Sequence, residues 1–78
     1  LPVPAGLSRL LHIHRNVPGM LARINDHFSK AGINVAAQYL RTSEHVGYVV
    51  IDVEASASAL AYEGLCAIPG TIRCRILY

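Results

Sequence analysis

Apolar residues recur at every second position in four segments of the chain and at every third or fourth in two others, the periods of strand and helix. From Leu7 to His14, Leu11 and Ile13 alternate with Leu10, His12 and His14. This predicts a strand with its histidines half-solvated on an open face. From Pro18 to Ala31, the residues Leu21, Ile24, Phe28 and Ala31 make one buried stripe, with Arg23, Asp26, His27 and Lys30 opposite. Asn16 is placed to satisfy the first amides of this helix, Pro18 suits its first turn, and Gly32 ends it. A second strand, Ile33 to Thr42, turns Ile33, Val35, Ala37 and Tyr39 inward and Asn34, Ala36, Gln38 and Leu40 outward. The polar turn Ser43-Glu44-His45 leads to a third strand, Gly47 to Glu54, with Val49, Ile51 and Val53 inward and Tyr48, Val50 and Asp52 outward. Ser56 to Ala67 reads as a second helix with Ala57, Leu60, Ala61, Leu65 and Ile68 on its apolar side. Ser56 or Ser58 caps it and Gly64 weakens it. After Pro69-Gly70, a fourth strand from Thr71 to Tyr78 places Ile72, Cys74, Ile76 and Tyr78 inward and Arg73 and Arg75 outward.

The resulting order predicts an α+β fold, a ferredoxin-like βαββαβ sandwich. Right-handed crossovers put both helices on one face of a four-stranded antiparallel sheet. Residues 1–6, with Pro2 and Pro4, read as a linker from an upstream domain, and 7–78 as the folded unit. Leu10, Leu40, Tyr48 and Val50 on the open sheet face point to a further contact there.

Composition adds an expectation about assembly. Hydrophobic residues make up 53% of the 78 and charged residues 15%, too apolar for a well-solvated small monomer. Association through a sheet edge or face is therefore expected. The net charge of +2 comes from scattered cations, with none of the basic stripe that tracks nucleic acid. No apolar run approaches the roughly 20 residues of a membrane span, and no signal peptide is visible. Cys66 and Cys74 read as two small buried hydrophobes in a reducing compartment, which fits a cytoplasmic protein.

Candidate chemistry is sparse. His12 and His14 have a spacing that can chelate a metal, but a third ligand would have to come from His45 or Asp52, and no metal site is expected. Dispersed acids and unpartnered serines leave no catalytic set, and no glycine-rich loop suits a dinucleotide. Neither the central-strand aromatics of an RNA-binding sheet nor the first-loop cysteines of a copper carrier are present. There remains the loop after the first strand, where His14, Asn16 and the free amides of a helix start form a nest suited to a carboxylate. Asn34 lies just past Gly32. Read from spacing alone, the two asparagines serve equally as turn residues.

The run from Leu11 to Gly19, with His14, Asn16, Val17, Pro18 and Gly19, and the block from Gly32 to Leu40 closely resemble the ACT domains of bacterial D-3-phosphoglycerate dehydrogenases. Gly47 to Asp52 and Ala67 to Arg73 continue the match. The resemblance implies the C-terminal regulatory part of an NAD-dependent enzyme that opens L-serine synthesis, with NAD held elsewhere in the parent chain and no cofactor here. It implies that L-serine binds between two domains, held by His14 and Asn16 of one copy and Asn34 of its neighbour. Backbone at Val17, Pro18, Gly19 and Ile33 would support it. Two copies would pair their second strands into one eight-stranded sheet, linked to the upstream catalytic domains of their own chains. An ACT-type sensor of another amino acid, or an assembly module without effector, is the alternative. The match departs at Gly6-Leu7, where some members carry a glycine pair, implying a stiffer hinge. It departs also at Arg15, acidic elsewhere, and at Gly64.

Overall fold

A computed structural model describes residues 6–77. Strand β1 (Leu7–Arg15) is followed by helix α1 (Met20–Ala31), strands β2 (Val35–Thr42) and β3 (Val46–Glu54), a 3-10 turn (Ala55–Ala57), helix α2 (Ser58–Ala67) and strand β4 (Thr71–Ile76). The sheet order is β2-β3-β1-β4, with every neighbouring pair antiparallel. This is the ferredoxin-like order expected from the sequence. Of the linker expected at 1–6, residues 1–5 lie outside the described residues, as does Tyr78.

The core gathers Leu10, Val49, Ile51 and Val53 from the central strands, Met20, Ile24 and Phe28 from α1, and Ala61 and Leu65 from α2. Helix α1 begins two residues later than expected, because Gly19 takes a left-handed conformation (φ 83°) with no side-chain cap. Gly32 closes it, also left-handed at φ 72°. Its N–H meets Ser29 O at 3.2 Å and that of Ile33 meets Phe28 O at 2.9 Å, a Schellman-type termination.

Several expectations about which way side chains face fail. In β2, Val35 opposes Val53, yet Ala37 already opposes Asp52, so the register slips by one across a β-bulge. Every side chain beyond it changes face: Tyr39 joins Val50 on the face away from the helices, while Gln38 and Leu40 join Ile51 and Val49. Gln38 donates to Asn25 of α1 at 2.9 Å. A second irregularity in β4 leaves Ile72 without a β1 partner, so Thr71 faces inward opposite His14 and Ile72 is exposed. Ile76 shares the face of Leu10 but is also exposed, lying on an edge strand. On α2, Leu60 is half exposed and neither serine caps a helix end. Leu10 and Leu40 do not belong to the open face, which carries Leu11, Ile13, Tyr39, Tyr48 and Val50.

Gly64 has a packing reason. A Cβ there would run into the imidazole of His27 from α1, and Nε2 of His27 is buried without a hydrogen-bond partner among the described residues. Replacing both together (His27→Ala with Gly64→Ala) removes the clash and the unpaired nitrogen and adds helix propensity at both positions. The double variant is expected to gain about 1 kcal/mol and to melt about 4–8 °C higher. A thermal melt no higher than wild type contradicts this.

Candidate functional site

His14 and Asn16 stand at one end of the sheet, where His14 opposes Gly47 and Gly47 in turn opposes Thr42. Their side chains diverge. His14 turns to the helix-covered side and is 2% exposed. The expectation of half-solvated histidines on an open face fails, since His12 and His14 share the face of Leu10 and lie in the core layer. Asn16 is exposed and donates from Nδ2 to the carbonyl of Ser43 at 2.8 Å, while its own N–H meets His45 O at 2.9 Å. It therefore braces the β2–β3 turn and does not cap α1 as expected.

The first turn of α1 is left open. Its first backbone bond runs from Arg23 N–H to Gly19 O at 3.0 Å, so the preceding amides have no intrahelical acceptor. No acidic side chain occupies this turn. Val17, Pro18 and Gly19 leading into it are exposed. The positive end of the helix dipole there favours an anion.

The two histidines form one hydrogen-bonded unit. Nδ1 of His14 lies 3.3 Å from Nδ1 of His12, and the rings are stacked with centroids 5.3 Å apart. Nε2 of His12 lies 2.7 Å from Oγ1 of Thr71, whose hydroxyl donates to the carbonyl of Leu65 at 2.9 Å. Burial, and then the neighbouring His14, push the His12 pKa down to about 4; burial lowers that of His14 as well. Both rings are neutral at pH 7. A Cβ on Gly47 would come within 2.6 Å of Nε2 of His14, so glycine at this position leaves room for the ring. Neither Gly47 nor Thr71 stood out in the sequence as part of a site. The partner of His12 is 59 residues away, and only the β4 irregularity turns the hydroxyl inward.

Asn34 is not brought to this place. It is exposed and precedes Val35, which opposes Val53, which opposes Ser8. The six strand steps from Ser8 to His14 put Asn34 about 20 Å away along the sheet of its own chain. Ile33 beside it is buried. A cavity of about 320 Å³ lined by Arg41, Thr42, Ser43, Val46 and Tyr48 opens at the β2–β3 turn. Asn16 reaches its rim through Ser43.

Other candidates resolve as follows. Cys66 is exposed and Cys74 half-buried, against the expectation of two buried thiols; burial first of all pushes the Cys74 thiol up to about 12. Asp52 is not a ligand in waiting: it receives Arg9 Nε at 2.7 Å and Nη2 at 2.8 Å. Among the described residues, no three His, Cys, Asp or Glu side chains are grouped to hold a metal. No helix there is long and apolar enough to cross a membrane.

Residues 10–73 match the model of the AHAS small subunit-like ACT domain. The chain belongs to the ACT domain family. All of this ACT domain aligns with D-3-phosphoglycerate dehydrogenase of Escherichia coli (strain K12) at 52% identity, and with that of Haemophilus influenzae at 50%. It spans 19% of the length of either relative, and it is a regulatory domain of that kind of chain, outside the catalytic part. The regulatory subunit of aspartate kinase from Thermus thermophilus superposes with a TM-score of 0.80 at 16% identity, over 99% of this chain and 54% of that one. At that identity the likeness establishes a common fold alone.

Proposed function

We propose that this ACT domain is the effector-binding module of a D-3-phosphoglycerate dehydrogenase, that it binds L-serine between two copies of itself, and that binding inhibits the NAD-dependent catalytic domains upstream. The observation that carries the reading is the opposition of Asn34 and His14. Within one chain they occupy opposite ends of the sheet. Strand β2, which begins just after Asn34, is an edge strand. Antiparallel pairing of β2 with β2 of a second copy reverses one chain relative to the other. Asn34 of each copy is then carried to the end of the sheet where its neighbour holds His14, Asn16 and the open turn of α1. The same pairing covers an edge that would otherwise recruit other strands.

In this arrangement the carboxylate of serine sits at the amides of the α1 start, with Gly19 and the residues before it as its cradle. Each asparagine amide both donates and accepts, so Asn16 and Asn34 can meet the carboxylate and the ammonium group. An effector that touches both copies stabilises their pairing by mass action. It inhibits to the extent that it prefers one arrangement of the whole enzyme, with the leading residues 1–6 as the connection through which that preference acts.

Calorimetric titration with L-serine, glycine, D-serine and larger amino acids tests the reading. Heat with L-serine is expected from the wild-type chain, none from Asn34→Ala or His14→Ala alone, and a partial return when the two variants are mixed, because each mixed dimer regains an intact site. Unaltered affinity in Asn34→Ala overturns the cross-interface site. Heat with a different amino acid reassigns the effector, and none with any, in a demonstrably dimeric chain, leaves an assembly module.

A further inference from the structure

The buried ring of His14 is held toward its neutral form, and a neutral imidazole offers one donor nitrogen and one acceptor. Which nitrogen plays which part follows from the chain of contacts behind it. The carbonyl of Leu65 can only accept, so the Thr71 hydroxyl donates its one hydrogen there. Oγ1 of Thr71 is then an acceptor toward His12, and Nε2 of His12 must carry a hydrogen to bond it at 2.7 Å. A neutral His12 with its hydrogen on Nε2 has a bare Nδ1. The remaining contact, 3.3 Å between the two Nδ1 atoms, is a hydrogen bond only if His14 donates from Nδ1. Nε2 of His14 is thus left as a lone pair. Among the described residues no donor meets it, and the ring edge that carries it lies against Gly47, where a Cβ would collide with it.

We propose that His12 and Thr71 are positioning residues that lock His14 in its Nδ1–H form, so that Nε2 accepts a hydrogen bond from a hydroxyl or ammonium group of the effector and turns away carboxylate oxygens. The assignment to an effector rests on the serine-site reading above; the tautomer does not. It divides the labour in the site. The carboxylate goes to the α1 amides, and His14 selects for an effector with a hydrogen to give.

Nitrogen-15 NMR of the full chain with labelled histidine tests the lock without any ligand. His14 is expected to show a protonated Nδ1 and a bare Nε2, and His12 the reverse. Thr71→Val removes the acceptor at the end of the chain, and the nitrogen shifts of both rings are expected to move toward a tautomer mixture; Thr71→Ser restores the wild-type pattern. L-serine affinity is expected to fall about tenfold in Thr71→Val, the worth of one oriented hydrogen bond, and to return in Thr71→Ser. A wild-type His14 with its hydrogen on Nε2 overturns the proposal, as does a folded Thr71→Val with unmoved shifts. Where Thr71→Val does not fold, the wild-type pattern decides. Absence of serine binding with the predicted tautomers intact removes the effector reading and leaves the lock standing.

Discussion

Asp52→Ala is expected to cost this domain about 3–5 kcal/mol, enough to leave much of it unfolded. Asp52 and Arg9 face each other across β3 and β1, joined at two points, with side-chain exposures of 3% and 9%. The forked geometry matches both carboxylate oxygens, and the guanidinium beside it holds the Asp52 carboxyl below its ordinary range. Removing the carboxylate strips a buried cation of this two-point partner, which costs far more than the pair is worth against an apolar pair of similar volume. The double change Arg9→Leu with Asp52→Leu is accordingly expected to recover most of the loss. Urea unfolding monitored by circular dichroism measures all three chains. Asp52→Ala within 1 kcal/mol of wild type would contradict this account.

Acid is expected to weaken the fold well before its carboxylates titrate. The sign follows from the direction of the shifts. His12 falls from 6.5 to about 4 on folding, and His14 is lowered too, so below pH 6.5 the unfolded chain binds protons that the folded chain refuses. Stability present above pH 6.5 is lost as pH falls toward 4, and His12 alone accounts for about 3 kcal/mol of it. The groups packed around His12 do not offset this. The ring of His14 from β1 is held toward its neutral form, the Cys74 thiol opposite His12 on β4 is held un-ionised, and α2 presents the carbonyl of Leu65. The Asp52 contribution is lost lower still, below its ordinary 3.8. Urea midpoints at pH 7.5, 5.5 and 4.5 should decline steeply in wild type and more gently in His12→Phe. Identical midpoints at pH 7.5 and 5.5 would refute buried neutral histidines.

The order of elements was readable because each of the six has its own period and a clear stop, such as Gly32 after α1 or Pro69-Gly70 before β4. What failed was parity. The β2 bulge falls at Val35-Ala36-Ala37, three small apolar residues that read equally well on either face, so nothing local marks the slip that sends Tyr39 outward. The histidines were misplaced for a related reason. Polar side chains on a strand are assigned to water by default, and only long-range partners in Thr71 and Leu65 make His12 tolerable in the core. The loop carrying His14 and Asn16 stood out through resemblance, and the geometry then sent their two side chains apart, one into the core layer and one to the β2–β3 turn. That Asn34 lies at the far end of the sheet from His14 depends on strand register, which no spacing in the sequence discloses.

The open edge of β2 also constrains how this domain can change over time. Lone domains of this size commonly protect an edge with lysine, proline or an inward charge, and Val35–Thr42 has none of these except Arg41 near its end. In the pairing proposed above, substitutions that would make a single copy better behaved are therefore the ones that would forbid it. On that proposal solubility and partnership compete for the same eight residues, so improvement in one has to be found on some other surface of the molecule.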